Sequence, residues 1–309
     1  MKKKRVLVTG ASGFLGKHVV PLLVKNGYDV RTLGRGESNY PGVKHYRVDL
    51  GHEAPVAAMR DANALIHLAS DVSIVRSIEN PASHMTNNLA MTLNALEACR
   101  TAEHKPLVVY LSSDLVYGKA RGRVTEQSPT FPVEPYTASK IMGEVLLATY
   151  ANQFGIPYIA LRASAFFGPH QPRRSFIADV IQKMKDRDEI TVGPLQTIKN
   201  FIYVENVAAA VLLALKAPRS AHNHTYNIGG KPIALSQILI QIKSVVEKRL
   251  DKKISIRIDQ SLQLPTHNEI GPFAVSTVAS QKMLKWKLKV PLKKGLESTV
   301  DYFLKNGSQ

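Results

Sequence analysis

An α/β fold on a doubly wound parallel sheet is predicted by three features of the sequence. An apolar strand pattern at 6–8 runs into glycines at 10, 13 and 16 and then into a helical pattern. Short apolar runs recur at 28–33, 43–48, 64–69, 107–112 and 158–161. Amphipathic helical runs, notably 81–100 and 135–153, separate several of them. Strand and helix alternating at this spacing build βαβ units, whose parallel sheet carries helices on both faces. With 309 residues, 44% of them apolar, the chain can bury such a core.

In chain order, the first candidate site is Gly10, Ser12, Gly13, Phe14, Leu15 and Gly16. A strand, a tight glycine turn and a helix N-terminus let backbone approach a pyrophosphate with N–H groups pointing at the charge. Pro21 lies inside the helix that follows, where it removes one hydrogen bond. The second strand ends at Leu33 and is followed by Gly34-Arg35-Gly36. An acidic residue there would bind ribose hydroxyls and select NAD. Arg35 instead offers a guanidinium to a 2′-phosphate, so NADP(H) is the expected cofactor and NAD(H) the alternative; the plain reading of Arg35 is a solvated surface charge. Asp49-Leu50 and Leu68-Ala69-Ser70 end the next two strands, at the edge where ligands collect in such sheets.

The strand at 107–112 ends in Ser112-Ser113-Asp114, where a hydroxyl can hold a substrate oxygen. Tyr136 and Lys140 then stand four apart on a helix, on one face. A free phenol has a pKa of about 10, and a nearby ammonium favours the phenolate. Tyr136 is therefore the candidate acid/base and Lys140 its electrostatic tuner. Tyr40 and Lys44 repeat the spacing, but Pro41-Gly42 between them favours a turn, so Tyr40 is expected to do little.

Forty-one basic residues against 24 acidic give a net charge of +17, which favours anionic partners. The basic residues are scattered and carry no nucleic-acid-binding motif, so nucleic acid is not the expected main partner. The lone Cys99 excludes an internal disulfide framework and fits a reducing compartment. The basic start from Met1 to Arg5 precedes an apolar run that breaks at Gly10, so a cytoplasmic protein with no membrane span and no membrane partner is expected. No metal site is expected.

Taken together, these motifs resemble the extended short-chain dehydrogenase/reductases of the NAD-dependent epimerase/dehydratase group. The resemblance rests on the 9–16 loop, Asp49-Leu50, 66–69, Ser112-Ser113 through Gly118, Pro135-Tyr136 through Lys140, Leu161-Arg162 through Gly168-Pro169, 200–208 and 226–229. It implies a Rossmann-like sheet (1–165 and 199–229) with a smaller, discontinuous C-terminal substrate domain (166–198 and 230–309). It makes Ser113, Tyr136 and Lys140 the catalytic triad, with Lys140 also on the nicotinamide ribose, and puts Asn88 on the active-site side. Asp114, Phe166 and Lys199 fall on the substrate side. Helices 81–104 and 135–153 resemble the pair through which many members form homodimers.

The chain departs from nucleotide-sugar members at Ala165, where they carry asparagine, and at 271–276, where they often carry a diphosphate-gripping arginine. Lys199 stands where the family has another such arginine, and His170, Arg173 and Arg174 add cationic character. Asp114-Leu115 lacks the second carboxylate of the sugar dehydratases. The expected activity is hydride transfer at a secondary alcohol or ketone carbon of a (nucleotide-)sugar, by a keto-sugar reductase or 4-epimerase with a small, anionic substrate. The alternatives are a ketoreductase for a non-nucleotide substrate, or a non-catalytic dinucleotide- or nucleic-acid-binding protein on the same fold.

Overall fold

The structure is a computed structural model that describes residues 3–37, 40–262 and 271–306; Met1 and Lys2 of the basic start lie outside them. Seven strands form one parallel sheet: β1 (Arg5–Thr9), β2 (Asp29–Gly34), β3 (Lys44–Arg47), β4 (Ala64–His67), β5 (Leu107–Ser113), β6 (Tyr158–Ala163) and β7 (His224–Ile228). Their spatial order is β7-β6-β5-β4-β1-β2-β3. The order reverses between β1 and β4, which opens a crevice at the carboxyl ends of those strands. Central strands read as continuous apolar runs because both sheet faces are covered: every residue of β4 and β6 is buried. Strand β7 was not among the predicted strands. Its sequence, His-Thr-Tyr-Asn-Ile, is polar for a strand, yet Asn227 is buried and accepts a 2.8 Å hydrogen bond from Tyr117 Oη.

One face of the sheet carries α1 (Gly16–Lys25) packed on α5 (Val204–Lys216); the other carries the mutually packed α2 (Pro81–Arg100) and α3 (Pro135–Phe154). Helix α1 runs through the exposed Pro21 without a break. Helix α3 has explicit limits: Pro135 at its first position, Thr137 Oγ1 accepting from Glu134 N at 3.4 Å, and the left-handed Gly155 at its end. A Cβ on Gly143 would lie 2.3 Å from Tyr110 Oη, so glycine is what lets α3 sit down on β5.

Beyond the C-terminal end of β6, α4 (Phe176–Asp186), α6 (Leu235–Leu250) and α7 (Leu292–Asn306) pack on one another. Small strand pairs brace them: Glu189–Val192 with Ser255–Ile258, and Ile198–Asn200 with Pro232–Ala234. Phe273–Val275 pairs with Gly122–Val124. The stretch between Phe273–Val275 and α7 returns to the sheet layer. Trp286 Nε1 donates to Asn206 O at 2.9 Å, and Asn206 Oδ1 accepts from Lys289 N and Val290 N. No helix among the described residues is long and apolar enough to cross a membrane.

Candidate active site

The glycine turn is built by close contacts that leave no room for side chains. Gly10 has φ +66°, and a Cβ there would meet Leu68 C and Ala69 N at 2.7 Å. Thr9 Oγ1 accepts from Leu68 N at 3.2 Å and Ala69 N at 3.1 Å, locking the ends of β1 and β4 together. Helix α1 follows with no side chain capping its N-terminus. Lys17 N and His18 N close back on Gly13 O and Leu15 O at 3.0 Å, so the helix end grows directly out of the glycine turn, the arrangement that suits a pyrophosphate.

A cavity of about 510 Å³ opens there, lined by Gly10, Ser12, Gly13, Arg35, Asp49, Leu50, Leu68, Ala69 and Ser70 among others. Nine of the residues expected to hold a dinucleotide thus share one cavity. Phe14 lies beside it, stacked on Phe166 with ring centres 5.3 Å apart, and Leu15 and Gly16 are buried beneath. Phe166, expected on the substrate side, thereby touches the cofactor turn. Asp49 Oδ1 accepts from Gly51 N at 2.9 Å, so it caps a turn at the cavity wall. Arg35 is exposed at the mouth. The constricted turn, the bare helix end and the cavity together fit a dinucleotide.

The proton-handling groups meet at the end of β5. Ser113 caps the short helix Asp114–Tyr117, its Oγ accepting from Leu115 N at 3.2 Å. Tyr136 rises from the first turn of α3, 9% exposed. Burial pushes its phenol above the usual tyrosine range, while hydrogen bonding to the Ser113 side chain pulls the other way. The Asp114 and Glu134 carboxylates add to the rise, so the lowering expected from Lys140 does not set the direction in this geometry. Lys140 Nζ stands 5.8 Å from the Tyr136 ring centre and 5.2 Å from that of Tyr110, and donates to Leu111 O at 3.0 Å. Burial lowers the ammonium to about 8.

Asn88 is buried where α2, α3 and the 69–73 loop meet. It accepts from Asp71 N at 2.8 Å and donates to Ser139 Oγ at 3.1 Å, so it positions the helix that bears Tyr136. Its neighbour His84, missed in the sequence, packs edge-on to Tyr136 with ring centres 6.3 Å apart. Nothing in the sequence signals that contact, since it depends on the crossing of α2 and α3.

On the far side, Asp114 and Lys199 line a tight cavity of about 20 Å³ with Asn200, Ala165 and Phe273. Burial raises Asp114 to about 7, against the pull of Ser164, Lys199 and Asn200. Burial lowers Lys199, and the carboxylates of Asp114 and Glu134 oppose the shift. A lysine read from sequence as a phosphate grip thus has two acidic neighbours inside the fold. A further network escaped the sequence: Arg162 pairs with Glu144 at 2.6 Å, and Ser112 Oγ donates to Glu144 Oε1 at 2.5 Å.

A dinucleotide-sized crevice at a topological switch point, with serine, tyrosine and lysine meeting outside its lining at the end of the neighbouring strand β5, defines a nicotinamide-dependent enzyme of the short-chain dehydrogenase/reductase type. Residues 6–229 match the NAD dependent epimerase/dehydratase family. The chain belongs to that family. It is 29% identical to a putative UDP-glucose 4-epimerase of Methanocaldococcus jannaschii, covering 97% of this chain and 99% of that one. It is 26% identical to the human dTDP-D-glucose 4,6-dehydratase, covering 98% and 91%. Among solved structures, a Methanobrevibacter ruminantium UDP-N-acetylglucosamine 4-epimerase in complex with UDP-N-acetylmuramic acid superposes with TM-score 0.86 at 25% identity, covering 99% of both chains. The Thermus thermophilus UDP-glucose 4-epimerase complex with NAD gives TM-score 0.80 at 27% identity, covering 97% and 98%.

Proposed function

We propose that this enzyme moves a hydride at a secondary alcohol or ketone carbon of a nucleotide sugar, as a keto-sugar reductase or 4-epimerase. The observation that carries the reading is the meeting of the Tyr136 phenol, the Ser113 hydroxyl and the Lys140 ammonium at the end of β5, the strand that flanks β4. A bound nicotinamide supplies or accepts the hydride at its C4. Tyr136 gives or takes the proton on the substrate oxygen, and Ser113 holds that oxygen by a hydrogen bond. Lys140, fixed by Leu111 O, keeps positive charge beside the phenol and has donors left for a ribose. The glycine turn and the α1 N-terminus bind the pyrophosphate, and Arg35 selects NADP(H).

Residues 1–165 and 199–229 act as the cofactor unit, and 166–198 and 230–309 as the substrate unit. Lys199 and Asp114, both within the bounds of the cofactor unit, face the substrate from the small cavity they share. Leu93, Met142 and Val145 leave an exposed apolar strip on the paired helices α2 and α3, which supports a homodimer through that face. Ala165 and the arginine-free 271–276 segment favour the second reading, a ketoreductase for a non-nucleotide substrate.

The test incubates the purified protein with UDP- and dTDP-hexoses plus NAD⁺ or NADP⁺, and with their 4-keto derivatives plus NADPH or NADH. Inversion at C4 or reduction of the keto sugar supports the reading. Turnover confined to simple ketones moves the second reading ahead. No hydride transfer with any of them sinks both.

A further inference from the structure

Most of the basic residues behind the net charge of +17 have no role in the reaction proposed above, and the chain concentrates some of them. Between 271 and 296 the described chain holds six lysines, Lys282, Lys285, Lys287, Lys289, Lys293 and Lys294, and no acidic residue. All six are exposed, and no ion pair among the described residues engages any of them. The next acids along the chain are Glu297 and Asp301, and Asp301 is occupied by Arg249 at 2.7 Å. The expectation of scattered charge is therefore incomplete: this segment is a cationic strip.

Apolar surface accompanies the charge. Val278 is 58% exposed and Leu288 44%. A shallow depression of about 450 Å³ on one side of the strip has Leu213, Pro218, Met283 and Leu284 in its walls, with Lys282 and Lys285 among the lining. A second, of about 400 Å³, has Trp286 and Leu288 in its walls, with Arg123 and Lys231 beside them. Neither wall includes an acidic residue.

We propose that residues 278–294 form a docking surface for an anionic lipid bilayer. Lysine ammoniums are mobile point charges that track a negatively charged headgroup layer, while Val278 and Leu288 reach the interfacial zone. Nucleic acid fits less well. Single strands need exposed aromatic faces on which bases stack. The one aromatic ring in this segment, Trp286, is 1% exposed and its N–H is held by Asn206 O. The strip uses residues outside the catalytic and cofactor sites, so the proposal stands apart from the reading of the reaction.

The test is sedimentation of the full-length protein with vesicles of phosphatidylcholine, with or without phosphatidylglycerol, at low and high salt. Pelleting only with the anionic vesicles, reversed by salt, is expected. Each lysine near such a surface contributes roughly fivefold to partitioning, so K287Q/K289Q/K293Q, which removes three charges, should lower it by on the order of a hundredfold. Cofactor affinity and melting temperature, measured on the same variant, should stay at wild-type values. Three results would overturn the proposal: no pelleting, equal pelleting with neutral vesicles, or a triple variant that binds like wild type. Tighter binding to polyuridylate than to anionic vesicles would overturn it in favour of nucleic acid.

Discussion

Lys140 donates a 3.0 Å hydrogen bond to the main-chain oxygen of Leu111 while its ammonium lies between the rings of Tyr110 and Tyr136. The residue is thus anchored from β5 before any ligand arrives. The bond fixes the charge beside Tyr136, and the burial that fixes it also lowers its own pKa to about 8. A lysine that loses its proton near pH 8 ceases to favour the phenolate above that pH.

Tyr136→Phe should leave melting temperature and cofactor affinity close to wild type and lower kcat by roughly two or more orders of magnitude, the scale of general acid–base catalysis. Steady-state kinetics on the same substrate decide it; turnover within a few-fold of wild type would remove Tyr136 from the chemistry. Tyr40→Phe is not the inert control that its sequence context promises. The Tyr40 hydroxyl donates to Ala11 O at 2.7 Å and so tethers the glycine turn, and that variant should weaken cofactor binding while sparing kcat at saturation.

Glu144→Leu should cost about 3–5 kcal/mol of stability, because it leaves the buried Arg162 guanidinium without its carboxylate. Chemical denaturation measures it. The double variant Glu144→Leu/Arg162→Met should recover much of the loss, since an apolar pair replaces the ion pair. A single-variant cost below about 1 kcal/mol, the range of exposed pairs, would mean that the site admits water.

Stability should also depend on Asp114. Its carboxyl is raised from 3.8 to about 7 by burial, so the folded state holds this proton more tightly than the unfolded chain. The resulting stability is complete below pH 4 and is lost as pH rises through 7. Asp114→Asn, which cannot ionise, should show a flatter profile over that window and a gain over wild type at pH 8, bounded by about 4 kcal/mol. Parallel pH profiles for the two proteins would show that Asp114 ionises freely in the fold.

The glycine turn, the strand ends and the Tyr136–Lys140 helix face were legible in the sequence because each is a local pattern. A strand period, a turn residue and an i,i+4 spacing all act within a few residues of chain. What escaped detection depends on contacts between distant segments. Ser112, Glu144 and Arg162 come from three elements, and no spacing links them. Asp114 and Lys199 are 85 positions apart, so their mutual field exists only after the 198–200 strand has folded over β5. Strand β7 was hidden because its buried polar residue, Asn227, is held through its Oδ1 by Tyr117 rather than by the apolar packing that a sequence pattern reports.

The sharpest remaining test concerns Arg35. Position 34, where β2 ends, is a glycine whose absent side chain leaves open space: a Cβ there would meet only His45 Cε1, at 3.9 Å. Close packing within the protein therefore does not explain the glycine, whereas a ligand approaching β2 would use that space. Arg35 follows it and lines the same cavity as Gly10 and Ser12. An acidic residue here would accept from both ribose hydroxyls and repel a 2′-phosphate; arginine offers several donors in a planar fork matched to phosphate. One charge-assisted contact contributes about 1.5–3 kcal/mol, so wild type should prefer NADP(H) by roughly ten- to a hundredfold. Titrating both cofactors against wild type and Arg35→Ala at two salt concentrations measures this. Wild-type NADP(H) affinity should fall with salt, and the variant should lose most of its discrimination while keeping its NAD(H) affinity. If wild type binds NAD(H) as tightly or more so, Arg35 is a solvated surface charge. Epimerisation, which returns its hydride to the substrate and needs no net reductant, then becomes the stronger reading of the site.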